Sequence, residues 1–197
     1  SAHTHPHDIL NGALAGADAY FSRYPGVEAE IVAKVALVLA PGSSGLNGSN
    51  GLVALVGAAG GVGVSALTLN LGHVLGGQMR VLAADLSGTI DTLGDRLGVE
   101  PATNRGAAGS GGVRSVVVRS NDWACDVLPG PSEPGVQGGQ PDRELDALLK
   151  VQADYDVVLA DAGRGLQGLA ASALVRAGAV VIVLSADPAQ IGPARRL

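Results

Sequence analysis

The 197-residue sequence has a formal net charge of -5 and only 16% charged residues, which gives no electrostatic reason to expect binding of nucleic acid through its phosphates, since that mode needs clustered Lys and Arg and only Arg195-Arg196 pair up. Hydrophobic residues make up 47% and glycine fills 30 positions, a composition that suits one tightly packed core with many turns rather than a disordered chain. No apolar run reaches the ~18 residues of a membrane helix and no signal pattern opens the chain, while the lone Cys125 is expected as a buried thiol in a reducing cytoplasm.

In chain order, the alternating His3, His5 and His7 have the chemistry to hold Zn, Cu or Ni, but their place at the end of the chain reads as a flexible terminus. The sequence starts at Ser1 and stops at Leu197 in what reads as the start of a helix, so it is expected to be a piece of a longer protein, truncated at its C-terminal side. Apolar residues at helical spacing predict a helix over Ala29 to Ala40, which Pro41 and the Gly/Ser/Asn stretch Gly42 to Asn50 stop. Leu52 to Val56 predicts a short buried strand, followed by a glycine-rich turn and a helix over Ser65 to Leu75. A second strand, Arg80 to Ala84, runs to Asp85, and a short helix is expected over Asp91 to Leu97.

Beyond the glycine-rich loop Arg105 to Gly112, strands are expected over Ser115 to Val118 and Cys125 to Leu128, then an irregular Pro/Gly-rich stretch over Pro129 to Pro141. Arg143 to Gln152 predicts a helix, Tyr155 to Ala160 a strand running to Asp161, Leu169 to Ala177 a helix, and Ala179 to Ser185 a strand bounded by Asp187-Pro188. Trp123 is expected in the core, with a partner surface shared with the loop Pro129 to Pro141 as the alternative, and His73 on a helix surface. Such alternation predicts an α/β fold with a doubly wound, mostly parallel sheet covered on both faces. Ligands of such sheets sit at the carboxyl ends of the strands, where the glycine loop, Asp85 and Asp161 fall.

The loop Ala58-Ala59-Gly60-Gly61-Val62-Gly63-Val64-Ser65 has the form of a phosphate-binding loop. Glycines free backbone N–H groups to converge on phosphate oxygens at a helix N-terminus, where the helix dipole also favours negative charge. The usual pattern then supplies a lysine for the terminal phosphates and a hydroxyl for magnesium; here those positions are Val64 and Ser65. Losing one charge-assisted contact costs roughly 1.5 to 3 kcal/mol, or about 10- to 100-fold in affinity, which weak nucleotide binding survives. Phosphoryl transfer depends almost wholly on positioning and charge neutralisation, and valine supplies neither. The same spacing of Gly57, Gly60 and Gly63, with Asp85 near the position that holds a ribose, leaves a Rossmann-type dinucleotide enzyme as an alternative.

These residues resemble the ParA/MinD family of deviant Walker A ATPases, whose loop reads K-G-G-x-G-K-[ST]-[ST]. Ala59 stands where the family has its signature lysine and Val64 where it has its P-loop lysine; Ser65 matches the magnesium-binding hydroxyl, and Ala66 replaces the next one. Asp85-Leu86-Ser87 lies where the family has D-x-D, with Ser87 in place of the aspartate linked to hydrolysis, and Tyr155 to Asp161 resembles the Walker B stretch. By that resemblance Gly60, Gly61, Val62, Gly63, Val64, Ser65 and Ala66 form the cofactor-binding set. Ser65, Asp85 and Asp161 form a metal set, Asp161 through water, if Mg-nucleotide binds. No catalytic residue is assigned and no cofactor is required; ATP or ADP with Mg would bind weakly.

Leu14 to Val35 resembles the end of a response-regulator receiver domain, without the lysine of its K-P pair, since Tyr24 precedes Pro25. The resemblance thus divides the chain into a receiver-like remnant over 1–40, a linker over 41–50 and a ParA/MinD-like domain over 51–197, the order seen in CpaE/TadZ-type pilus assembly and related septum-site-determining proteins. It implies a non-catalytic or very weakly active localisation or scaffold protein, with protein partners in a pilus, secretion or division machinery. That protein would be cytoplasmic and recruited to a pole, septum or inner membrane face. With Ala59 in place of the lysine that crosses to a partner's nucleotide, any homodimer would be independent of ATP. A slow Mg-ATPase is the alternative within the family.

Overall fold

The computed structural model describes residues 21, 26–39, 51–88, 93–98, 116–119, 122–130, 141–164 and 166–184. The proposed linker, the three N-terminal histidines, the loop 105–112 and the end of the chain lie outside the described residues, as does most of the receiver-like stretch.

Helix α1 (Val27–Leu39) precedes strand β1 (Leu52–Gly57), helix α2 (Val64–Gly76), strand β2 (Val81–Asp85) and the short helix α3 (Leu93–Leu97). Strands β3 (Val118–Arg119) and β4 (Asp126–Leu128), helix α4 (Pro141–Gln152), strand β5 (Val157–Asp161), helix α5 (Gly168–Arg176) and strand β6 (Ala179–Val183) complete the order. The six strands form one sheet in the order β3-β4-β2-β5-β1-β6. Every described pairing is parallel except β3 with β4. This is the expected doubly wound α/β architecture.

Every residue of β1, β2 and β5 is buried, because both faces of the sheet are covered. Alternate side chains feed two separate cores. Val53, Leu55, Val81, Ala83, Val157 and Leu159 pack with Leu69, Leu71 and Leu75 of α2. Leu52, Leu82, Ala84, Val158 and Ala160 pack on the opposite face with Leu145 and Leu148 of α4 and Leu169 of α5. Fully burying one such leucine is worth about 1.5–3 kcal/mol, so the centre of the sheet anchors whatever its strand ends carry. Ile31 and Val32 of α1 rest on the edge of the α2-side core.

Two expectations shift in detail. The run Ser115 to Val118 is expected as a strand, but among its described residues Val118 alone pairs, together with the following Arg119, antiparallel at the sheet edge; Val116 and Val117 instead pack against the α4-side core. Trp123 is half-buried at the rim of the α2-side core rather than within it. Its ring meets the exposed His73 edge-on at 5.3 Å between centroids, while the Ala124 N–H donates to His73 Nδ1 at 3.2 Å. Cys125 is a buried free thiol, as expected. Among the described residues no helix is long and apolar enough to cross a membrane.

Candidate functional site

Strand β1 ends at Gly57 and hands the chain to the glycine loop between the ends of β5 and β6. The Gly57 N–H donates to the Gly163 carbonyl at 2.7 Å, and the Ala58 N–H to the Val183 carbonyl at 2.9 Å, so both neighbouring strands fix the loop's entry. Gly61 and Gly63 have φ of 74° and 96°, a region that side-chain-bearing residues avoid. Gly63 is the N-cap of α2 and offers no side-chain cap to the first turn, which also carries no acidic residue. The first-turn N–H groups and the positive end of the helix dipole therefore face the loop's concavity, the arrangement that binds phosphate.

Around this backbone, Gly60, Gly61 and Gly63 are exposed, Ala59, Val62 and Ser65 half-buried and Ala66 exposed. Val64, in the lysine position, is 7% exposed and belongs to the α2-side core. Its Cγ2 lies 3.0 Å from where a side-chain carbon on Gly57 would stand. The valine thus points under the loop into the protein, and the loop's own sequence places no cation over the cradle.

Asp161 ends β5 directly beside Leu55 of β1 and Asp85 of β2. It is 0% exposed; its Oδ1 accepts the Gly163 N–H at 2.8 Å, and its Oδ2 has no hydrogen-bond partner among the described residues. Burial pushes this carboxyl above the ordinary aspartate range. The Ser65 hydroxyl and the Gly163 N–H pull it back, neighbouring Asp85 raises it further, and Arg96 lowers it. Ser65 therefore faces the carboxylate closely enough to favour its charged form, yet leaves Oδ2 unsatisfied. A hydroxyl beside a buried carboxylate oxygen with free lone pairs is a donor set that fits a hard divalent cation.

Asp85 has a different occupation. Its Oδ1 accepts the Ser87 N–H at 3.0 Å and the Ser87 Oγ–H at 2.7 Å, and its Oδ2 accepts the Leu93 N–H at 2.8 Å. Asp85 thus braces the turn into α3. Among the described residues no group of three or more His, Cys, Asp or Glu could hold a metal by protein ligands alone.

Sequence reasoning passed over Arg164. It sits on the turn leaving β5, and its side chain lies across the loop: a side-chain carbon on Gly60 would meet Arg164 Cδ at 3.4 Å and a guanidinium nitrogen at 3.5 Å. The available signal was its place three residues after Asp161, beyond a glycine.

A mostly parallel sheet with a glycine loop opening the helix after its first strand and an aspartate ending the adjacent strand defines a P-loop NTPase-like fold. Solved structures carry the comparison further. The chain is similar to a ParA family ATPase from Chlorobium tepidum TLS, at 20% identity over 68% of this chain and 60% of that one, with a TM-score of 0.57. It is similar to the cell division ATPase MinD of Pyrococcus furiosus, at 25% identity over 73% and 62%, TM-score 0.63. It is also similar to cobyrinic acid a,c-diamide synthase from Mycobacterium smegmatis with bound ADP and magnesium, at 25% identity over 68% and 58%, TM-score 0.56. The chain spans 58% to 62% of the length of these structures. They share its fold and support the ParA/MinD family. No protein-family model matches the sequence, and no curated protein matches it.

Proposed function

We propose that this chain belongs to a ParA/MinD-type protein that has kept the P-loop fold as a localisation or scaffold module and has lost efficient ATP hydrolysis. The observation that carries this reading is Val64: where the family's lysine would reach the terminal phosphates, a buried valine packs into the core. Ala59 and Ser87 add two further losses, and the Ser87 hydroxyl is bound to Asp85. Removing the charge that neutralises a moving phosphoryl group removes most of what a protein contributes to its transfer. The whole protein would act through protein partners, in pilus or secretion apparatus assembly or in septum-site regulation. Residues 1–40 would form a receiver-like remnant, 41–50 a linker and 51–197 the ParA/MinD-like domain.

Binding of Mg-nucleotide without efficient turnover is the second reading, favoured by the buried Asp161 Oδ2 that has no partner among the described residues, on a carboxylate whose charged form Ser65 favours. Backbone N–H groups of residues 60–66 would hold the phosphates, and Ser65 and Asp161 the magnesium, which when bound neutralises phosphate charge. A Rossmann-type dinucleotide site is disfavoured, because Asp85 already accepts the Ser87 N–H, the Ser87 hydroxyl and the Leu93 N–H, which commits it to bracing its own turn rather than a ribose. The test is steady-state release of phosphate from Mg-ATP. Release no faster than about one per hour is expected; turnover near the typical kinase range of ~1 per second or above would sink the scaffold reading.

A further inference from the structure

We propose that Arg164 supplies the cation that the glycine loop has lost, so that the loop and Arg164 together bind the diphosphate group of a nucleotide. This rests on the reading of residues 58–66 as a phosphate-binding loop and extends it to a residue outside the motif.

The position of Arg164 follows from the turn that carries it. Gly163 donates its N–H to Asp161 Oδ1 at 2.8 Å and accepts the Gly57 N–H at 2.7 Å, so the turn is tied to the buried carboxylate on one side and to the loop's entry on the other. Gly163 holds a φ of 58°, and a side-chain carbon there would stand 2.8 Å from Ser87 Cβ. These contacts fix where the backbone of Arg164 leaves the turn. Arg164 crosses Gly60, with its Cδ and a guanidinium nitrogen 3.4 Å and 3.5 Å from where a side-chain carbon on that glycine would stand. It is exposed, and no carboxylate among the described residues pairs with it.

An independent observation points to a ligand at the same place. Asp161 Oδ2 is buried with no partner among the described residues, and buried acceptors of this kind are almost always satisfied. A metal-bound diphosphate meets both halves of the site: its cation answers Asp161 and Ser65, and its oxygens face the loop amides and Arg164. A guanidinium is well suited to this, since its planar fork of donors binds two phosphate oxygens at once where lysine offers a point charge. Arg96 acts on the Asp161 carboxylate and is not assigned to the phosphates.

The test is calorimetric titration of the chain with Mg-ADP, with magnesium pyrophosphate and with NAD. Mg-ADP and pyrophosphate are expected to bind, and Arg164→Ala to weaken both about 10- to 100-fold, as for loss of one charge-assisted contact. Arg164→Lys should recover part of the loss. Arg176→Ala, which removes a guanidinium engaged with Asp146, should change nothing, and thermal melts confirm that each variant folds. The proposal is overturned if neither probe binds at millimolar concentration, if only NAD or only the nucleotide binds, or if Arg164→Ala binds like the parent. It is equally overturned if Arg96→Ala, rather than Arg164→Ala, abolishes binding. None of these outcomes touches the scaffold reading, which fails on fast hydrolysis alone. Fast hydrolysis with Arg164-dependent binding would sink that reading and keep this one.

Discussion

Asp161→Asn is expected to stabilise the chain in the absence of nucleotide while destroying its response to Mg-nucleotide. The side chain is 0% exposed and one carboxylate oxygen has no partner among the described residues. A buried polar group left unsatisfied costs about 1–3 kcal/mol, and more when charged. Asparagine keeps an oxygen for the Gly163 N–H but carries no charge, so a gain of about 1–2 kcal/mol at pH 7 is expected, or roughly 2–8 °C in Tm for a domain of this size. The pH dependence has a fixed sign. Burial holds the folded carboxyl above the usual 3.8, so the folded state takes up a proton more readily than the unfolded one. That contribution favours folding fully below the unfolded value and is lost as pH rises through the folded value. The advantage of the asparagine variant should therefore be greatest at neutral pH and shrink as pH falls towards 3.8. Urea unfolding from pH 7 down to pH 4 measures it. In the parent, Mg-ADP at 100 times its Kd should add about 2.7 kcal/mol, and the variant should gain much less. A variant less stable than the parent by more than about 1 kcal/mol at pH 7, or a difference that does not vary with pH, would refute the reasoning.

Gly163→Ala should destabilise the fold by about 1–3 kcal/mol, combining a left-handed backbone with crowding, because the new carbon would stand 2.8 Å from Ser87 Cβ; urea midpoints check this, and an unchanged midpoint contradicts it. Cys125, whose thiol burial pushes up to about 11 with help from Asp126, should resist a disulfide reagent at pH 8 in the folded protein and react promptly after unfolding, since only the thiolate attacks. Fast labelling of the native chain would show the thiol to be more accessible than its buried position implies.

The strands and helices around the site are legible in the sequence because strongly apolar runs of five or six residues, bounded by glycine and aspartate, have few alternatives to a buried parallel strand. The boundaries of β1, β2, β5 and α2 fall within two residues of expectation. The edge is less legible. Val116, Val117 and Val118 look alike in sequence, but with a partner on one side only, the fold uses the first two for packing and the third for pairing.

By itself, the sequence determined that residues 58–65 carry a glycine loop between a strand and a helix, that no lysine stands in it, and that Ser65, Asp85 and Asp161 gather at the same sheet end. Glycine placement and strand alternation are local properties, written into neighbouring residues. Only the tertiary structure decided what each group does there. It turned Val64 inward, spent Asp85 on Ser87 and Leu93, left Asp161 Oδ2 unsatisfied, and laid Arg164 across Gly60. The physical reason is that a contact such as Gly57 with Gly163 joins segments about a hundred residues apart in the chain, and which hydrogen bonds are satisfied is settled only when the strands bring those segments side by side.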